Sequence, residues 1–177
     1  MSLKEWIIDI IIAVVIALVI VQFIRPTIVK QTSMEPNFIQ NDYLFCSKMS
    51  YKFGHEPQKG DVIIFHSDLT TDDGKKKLLI KRVIGVGGDE ISIHDGKVYI
   101  NGKEDMQSYT KDGVTDGEMD VTVPKGKLFC MGDNRLDSVD SRSEEVGVVD
   151  MSQVAGKVVF RVFPFSKFGP IHNPYNS

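Results

Sequence analysis

The feature that most constrains this chain is a long apolar segment close to its N-terminus. From Trp6 to Ile24 the residues are apolar except for Asp9 and Gln22. As a helix rising roughly 1.5 Å per residue, these 19 residues span about 29 Å, which matches a hydrocarbon core of roughly 30 Å. The segment therefore predicts a single transmembrane helix over residues 6–24 that lies in a lipid bilayer and follows a short tail over residues 1–5.

Two other structures can place an apolar segment near an N-terminus. A cleavable secretory signal has an apolar core of roughly 7 to 15 residues and ends at small residues, whereas Gln22, Phe23 and Ile24 end this run. A helix packed on a globular core normally keeps a polar face, but Ile and Val lie all round this one. A retained membrane anchor is favoured over both.

The charged residues that flank the segment bear on its orientation. Lys4 precedes it, whereas Arg25 and Lys30 follow it. A count of positive residues would place the C-terminal part of the chain inside the cell. This count conflicts with the placement that four short sequence blocks in the rest of the chain imply.

The rest of the chain, residues 25–177, is predicted to form one mainly β domain of antiparallel sheets. Short alternating and β-branched runs separated by turn residues are typical of strands. The predicted strands are residues 27–30, 43–48, 61–66, 78–86, 90–94, 97–100, 127–131 and 157–162. Asp95-Gly96 predicts a tight hairpin turn, and Asp150 is a candidate N-cap for a short helical turn over 150–155. Residues 70–77 and 103–120 are predicted to be loops.

Composition excludes several classes of function. A net charge of −3 gives no basic surface for a nucleic-acid backbone, so nucleic acid is not an expected partner. The four histidines lack the spacing of metal ligands, and neither a metal nor a cofactor is indicated. Cys46 and Cys130 are most simply two small buried hydrophobic residues, although a disulfide stays open for an extracytoplasmic domain.

Four short blocks carry the candidate chemistry. They are Thr-Ser-Met-Glu-Pro at 32–36, Gly-Asp-Val-Ile-Ile-Phe at 60–65, Lys-Arg-Val-Ile-Gly at 81–85, and Gly-Asp-Asn-Arg at 132–135 continuing to Asp-Ser-Arg at 140–142. In this order after an N-terminal anchor, they resemble the bacterial type I signal peptidases, in a short form like that of Gram-positive species. The resemblance covers the chain from Trp6 to about Pro164.

The resemblance implies a serine protease with Ser33 as nucleophile and Lys81 as general base. A serine hydroxyl needs a neighbouring base to take its proton, and a lysine can be that base only when neutral. Burial in apolar surroundings lowers the pKa of a lysine by up to several units. Strand alternation puts Lys81 on one face with Leu79 and Val83, and Arg82 on the other. Without the resemblance, Ser33 could be a turn serine and Lys81 a surface lysine.

The resemblance also implies supporting roles. Ser138 matches a serine that positions the lysine, and Asp140 and Arg142 match a charged pair that braces the site. Gln31 stands where many relatives have a serine whose hydroxyl helps to stabilise the oxyanion. The residues at 133–135 could form a polar turn or take a direct role.

The implied function is removal of signal peptides from exported preproteins at the outer side of a bacterial cytoplasmic membrane, with selection for small side chains on the acyl side of the cleaved bond. Two alternatives stay open. One is a self-cleaving, repressor-type Ser-Lys protease, although such proteins are soluble. The other is a catalytically silent, membrane-anchored relative that binds or scaffolds surface proteins.

Overall fold

The structure, a computed structural model, describes residues 2–176, and for residues 19–21 it describes the backbone only. The chain begins with the helix α1 (Leu3–Phe23), whose apolar side chains are exposed from Leu3 through Leu18. Within the described part of the chain, no helix has both the length and the apolar character expected of a membrane span. The transmembrane helix over 6–24 therefore stays a prediction.

Twelve strands follow α1 within residues 2–176. They are β1 (Ile24–Ile28), β2 (Tyr43–Ser47), β3 (Val62–Thr70), β4 (Lys76–Val86), β5 (Glu90–His94), β6 (Lys97–Ile100), β7 (Lys103–Glu104), β8 (Met119–Thr122), β9 (Lys127–Met131), β10 (Val149–Asp150), β11 (Val154–Phe163) and β12 (Gly169–Pro170). All pairings between them are antiparallel. The prediction of a mainly β, antiparallel domain after an N-terminal helix is confirmed.

The strands form two sheets. The larger sheet has the order β1-β2-β11-β3-β4-β9-β10, with β12 added on β11, and the smaller has the order β7-β6-β5-β8. Buried residues from β4, β5, β6 and β9 form one hydrophobic cluster, which includes Ile84, Ile91 and Phe129. Because this cluster draws on both sheets, apolar burial holds the smaller sheet against the larger one.

Several local predictions are confirmed. The strands predicted at 90–94, 97–100 and 127–131 have the observed bounds. Asp95 and Gly96 form the predicted hairpin turn, with φ angles of 51° and 77°. Asp150 caps a 3-10 helix over Met151–Gln153, in which its side chain accepts the N–H of Ser152 at 2.9 Å. That turn is shorter than the predicted 150–155.

Three local predictions are wrong in part. The first strand begins at Ile24, directly after α1, and contains Pro26, which an edge strand tolerates because one side of it needs no hydrogen bonds. The 70–77 loop is a hairpin in which Thr70 ends β3 and Lys76 begins β4. The 103–120 loop contains β7 and the start of β8, which are polar because they lie at the two edges of the small sheet.

Strand β4 has one edge that no other strand pairs with near its N-terminal end. It pairs with β3 from Lys76 to Arg82, but with β9 only from Arg82 to Val86. The second edge of residues 76–81 therefore keeps unpaired backbone groups. Lys81 lies at the end of this stretch, where pairing with β9 begins.

Candidate active site

Ser33 lies in the segment between β1 and β2 and is 6% exposed. Its neighbours Met34 and Phe38 are buried in the core and fix this segment to the domain. The carbonyl oxygen of Ser33 accepts the N–H of Asn134 at 3.0 Å, and the side-chain amide of Asn134 donates to the carbonyl of Thr32 at 3.2 Å. These bonds fix the position of Ser33 relative to the loop after β9.

Lys81 is the most deeply buried lysine of the described chain, with 1% of its surface exposed. Its Nζ donates a hydrogen bond to the Oγ of Ser138 at 2.9 Å. Burial lowers the pKa of Lys81 to about 8, and the negative charge of Asp140 opposes this shift in part. A substantial fraction of this lysine is therefore neutral at a mildly alkaline pH.

Ser33 and Lys81 line one cavity of about 590 Å³. Gln31 also lines it and is exposed to solvent. The Nζ of Lys81 bonds to Ser138, and among the described residues no hydrogen bond joins Lys81 to Ser33. The structure thus brings the two predicted catalytic residues to the same cavity, with Ser138 as the direct partner of the lysine.

A buried carboxylate fixes the position of Ser138. The Oδ2 of Asp140 accepts the hydroxyl of Ser138 at 2.7 Å and the N–H of Gly132 at 2.9 Å. The guanidinium of Arg142 donates to both carboxylate oxygens of Asp140, each at 2.9 Å. Arg142 also donates to the carboxylate of Asp116. The predicted set Ser138, Asp140 and Arg142 forms one hydrogen-bonded cluster that ends at Lys81.

Asp140 and Arg142 each stabilise the charged form of the other. Burial by itself would raise the pKa of Asp140, but the bonds from Arg142 and the N–H of Gly132 hold it below its usual range. Burial acts against the charge of Arg142, and Asp140 outweighs it and raises the pKa of Arg142. Both groups are therefore charged at neutral pH, and Asp140 presents a fixed negative charge behind Ser138.

Gly132 allows the close contact between the two loops of the site. A Cβ at this position would overlap both the carbonyl oxygen of Ser33 and the hydroxyl of Ser138. Only glycine leaves room for both groups at this position. The sequence block at 132–135 pointed to this region, but it did not show that both Ser33 and Ser138 lie against this glycine.

Comparison of the sequence with known proteins identifies the family of this chain. The sequence profile described as "Signal peptidase, peptidase S26" matches residues 3–163. The chain belongs to this signal peptidase family. Signal peptidase I of Bacillus licheniformis is 38% identical over 177 residues, covering 94% of this chain and 91% of that protein. Signal peptidase IB of Staphylococcus aureus is 34% identical over 195 residues, covering 99% and 97%.

A solved structure was also matched. The crystal structure of a signal peptidase I from Enterococcus faecalis V583 has 29% sequence identity and a TM-score of 0.47, covering 58% of this chain and 96% of that chain. The sequence relatives and the family profile confirm the predicted signal peptidase family, and with it the prediction of a serine endopeptidase.

In this member of the signal peptidase family, residues 133–135 are buried. Arg82 donates two hydrogen bonds to the carboxylate of Asp133, at 2.8 and 2.7 Å, and the side chains of this pair are 4% and 0% exposed. Arg135 is 1% exposed and donates to the carbonyl of Gly132 at 3.0 Å and to the hydroxyl of Tyr109 at 3.1 Å. These residues do not line the cavity shared by Ser33 and Lys81, so they brace its walls.

A second, more apolar cavity of about 480 Å³ adjoins the first. Its walls come from β1 and the residues just after it, from β3 and from the unpaired stretch of β4, and they include Ile28, Val29 and Ile80. Gln31 and Leu79 line both cavities. The two cavities thus form one continuous groove, which leads along the unpaired edge of β4 to Ser33.

The two cysteines belong to the core and not to this groove. Cys46 and Cys130 are buried with free thiols, and they pack in separate hydrophobic clusters. The prediction of two buried hydrophobic residues is confirmed, and the alternative of a disulfide is not adopted. Within residues 2–176, no group of three His, Cys, Asp or Glu side chains is arranged as a metal site.

Proposed function

We propose that this chain removes signal peptides from exported preproteins, with Ser33 as nucleophile and Lys81 as general base. The observation that carries the proposal is the burial of Lys81 at the cavity that Ser33 also lines. With a pKa of about 8, about one lysine in ten is neutral at pH 7. With the ordinary pKa of 10.5, only about one in three thousand would be.

The reaction proceeds by acyl transfer. The Oγ of Ser33 attacks the carbonyl carbon of the cleavage site while its proton passes to the neutral Nζ of Lys81. The resulting ammonium gives a proton to the leaving amine as the peptide C–N bond breaks, which leaves an ester on Ser33. Water then attacks this ester, Lys81 again takes the proton, and the hydroxyl of Ser33 is restored as the acid product leaves.

Ser138, Asp140 and Arg142 position the base. The hydroxyl of Ser138 donates to Asp140, so its oxygen lone pair is directed to the Nζ of Lys81. Arg142 fixes the carboxylate of Asp140 with two bonds. This arrangement holds the lysine without giving it a direct carboxylate partner, which would keep it charged.

Stabilisation of the oxyanion falls to the backbone of Ser33 and to Gln31. Within the described residues, the N–H of Ser33 donates to no other group, so it is free for the tetrahedral oxygen. The side-chain amide of Gln31 lies on the wall of the same cavity and can supply a second donor. Loss of one such donor costs about 10²- to 10³-fold in rate.

The open edge of β4 gives the substrate a place to bind as an added strand. Residues 76–81 offer unpaired backbone groups, and an extended peptide can pair with such an edge. The adjoining cavity is lined by Ile28, Val29 and Ile64 and suits apolar side chains on the acyl side of the cleaved bond.

The proposed location is the outer side of a bacterial cytoplasmic membrane. Helix α1, which contains all of the predicted anchor at 6–24 except Ile24, is the proposed single-pass anchor, and residues 25–177 form the extracytoplasmic peptidase domain. The exposed apolar side chains of α1, such as Trp6, Ile11 and Leu18, support burial in lipid, because exposure of this area to water is unfavourable. A substrate tethered in the same bilayer would reach Ser33 close to the surface.

Cleavage of a preprotein by the detergent-solubilised full chain tests the proposal, with the cut located by mass spectrometry. Ser33→Ala and Lys81→Met are expected to lose cleavage by at least about 10²- to 10⁴-fold. Lys97→Met is the matched control, because Lys97 is an exposed strand lysine that is paired with Glu104 and lines neither cavity. Full activity in either catalytic variant would refute the Ser33–Lys81 assignment.

The same assay separates the alternatives. Binding of the preprotein without any cut, in the unmodified chain, would indicate a catalytically silent relative. A cut within the chain itself, with the preprotein left intact, would indicate a self-cleaving protease. Protease treatment of intact cells tests the orientation, and protection of residues 25–177 from outside would contradict the extracytoplasmic placement.

A further inference from the structure

The loop between β2 and β3 begins beside the end of α1. The main-chain N–H of Lys48 donates to the carbonyl oxygen of Phe23, the last residue of α1, at 3.0 Å. The pairing of β1 with β2 brings Ile24 opposite Ser47. Residues 48–55, called here the 48–55 loop, therefore begin beside the end of the helix, to which one main-chain hydrogen bond joins them.

The 48–55 loop presents a phenylalanine to the outside. Phe53 is 87% exposed, more than any other large apolar side chain of the described chain. Its φ angle of 58° lies in the left-handed region, which a bulky residue rarely adopts. Such a conformation is strained and persists only where the surrounding structure imposes it.

The rest of the loop is held in place. The hydroxyl of Tyr51 donates to the buried carboxylate of Asp61 at 2.9 Å, and the N–H of Lys52 donates to the carbonyl of Met49 at 3.0 Å. A ring nitrogen of His55 lies 3.2 Å from the carbonyl of Lys52. The exposure of Phe53 is thus a feature of an ordered loop that is tied to the core on one side.

The same loop carries two lysines. Lys48 and Lys52 are exposed, and within residues 2–176 neither forms an ion pair with a carboxylate. Both line a cavity of about 330 Å³ together with His55, and one acidic residue, Glu56, also lines it. Aromatic and lysine side chains are both favoured where a bilayer meets water, the first for its apolar ring and the second for anionic headgroups.

We propose that the 48–55 loop is a second membrane contact, in which Phe53 enters the interfacial region of the bilayer and Lys48 and Lys52 bind the phosphates of anionic lipids. This inference rests on the proposed anchoring by α1, because that anchor places the loop at the level of the headgroups. A contact on the domain itself restricts the tilt of the domain about the end of the helix. It therefore holds the groove at a constant height above the membrane, where a membrane-bound substrate arrives.

Tryptophan fluorescence in vesicles tests this contact in the full chain. The chain has one tryptophan, Trp6, so quenching by brominated lipids in the unmodified protein reports on α1 alone. In a Trp6→Phe background, Phe53→Trp reports on the loop. Val114→Trp is the matched control, because Val114 is 46% exposed but lies next to Gly96 on the smaller sheet.

Vesicles of phosphatidylcholine, with and without phosphatidylglycerol, separate the apolar contribution from the electrostatic one. Phe53→Trp is expected to be quenched, more strongly with the anionic lipid, whereas Val114→Trp is expected to be unaffected. Each lysine should favour the bound loop about fivefold on an anionic surface, so Lys48→Gln with Lys52→Gln should remove most of the effect of phosphatidylglycerol.

The possible failures are distinguishable. If Trp6 is quenched but Phe53→Trp is quenched no more than Val114→Trp, the loop contact is overturned and the anchor stands. The loop contact is likewise overturned, and the anchor stands, if Phe53 binds another protein and not lipid. If Trp6 itself is not quenched, the anchoring proposal is overturned, and the loop contact that rests on it is overturned too.

Discussion

Replacing Asp140 with asparagine should shift the acid limb of the activity profile to lower pH. The substitution keeps the shape of the side chain but removes the negative charge that opposes the effect of burial on the pKa of Lys81. Without that charge the ammonium form is less stable, so the pKa of Lys81 falls below about 8. The neutral, reactive form then persists to a lower pH.

The structure sets the size of the shift. Lys81 and Asp140 are joined through Ser138 by hydrogen bonds of 2.9 and 2.7 Å, so their charges lie no farther apart than about 5.6 Å. At an effective dielectric constant of about 20, the attraction is about 3 kcal/mol, or about 2 pKa units. Water in the open cavity weakens this attraction, so the expected shift is about 1 to 2 units.

The assay is the pH dependence of kcat/KM for a quenched fluorescent peptide that contains a signal peptidase cleavage site. The midpoint of the acid limb does not depend on the amount of active enzyme, so partial unfolding of Asp140→Asn would not mimic the shift. Asp116→Asn is the matched control, because Asp116 also bonds to Arg142 but has no contact with Ser138. An unmoved or raised midpoint in Asp140→Asn would refute the assignment of Lys81 as the titrating base.

Three further predictions follow from the same contacts. Lys81→Met should raise the free energy of unfolding at pH 7 by up to about 3 kcal/mol, because the native pKa of about 8 lies below the unfolded value of 10.5. Urea titrations should show that this difference in unfolding free energy disappears as the pH rises from 8 to 10.5. Gly132→Ala should lower the single-turnover rate constant about 10²-fold, because the added methyl group displaces the main chain of Ser33, the proposed nucleophile; an unchanged rate constant would contradict this. Arg82→Met should lower the unfolding free energy by about 3–5 kcal/mol, because the buried charge of Asp133 loses its cationic partner, whereas exposed Lys97→Met should change it little.

Much of the fold could be predicted from local pattern. β5, β6 and β9 have clear alternation or apolar runs and are bounded by turn residues, so their bounds were predicted without error. β7 and β8 were missed because they lie at the edges of the small sheet, where water replaces a neighbouring strand and polar residues are favoured. The start of β1 was missed because it contains Pro26, which argues against a central strand. On an outer edge, however, the missing N–H of a proline costs nothing.

The site was predictable only in part. Ser33 and Lys81 were assigned from four blocks in a fixed order, and their common cavity is consistent with that assignment. The burial of Asp133 and Arg135 was not predictable, because Gly-Asp-Asn-Arg has the composition of a surface turn. The partners that make burial possible lie far away in sequence: Arg82 is 51 residues from Asp133, and Tyr109 is 26 residues from Arg135.

The neighbouring cations Lys81 and Arg82 show how one strand can hold two buried charges with opposite properties. Successive side chains of β4 point to opposite faces, and both faces are covered. Arg82 meets a carboxylate directly and remains charged at every accessible pH. Lys81 meets a hydroxyl, with the nearest carboxylate one bond further away, so burial outweighs attraction and its pKa falls to about 8. A direct carboxylate contact would fix the charge on Lys81, and a full apolar enclosure would lower its pKa further and weaken it as a base. The intermediate position of Ser138 thus keeps the pKa of Lys81 at about 8, which suits Lys81 to its proposed role of general base.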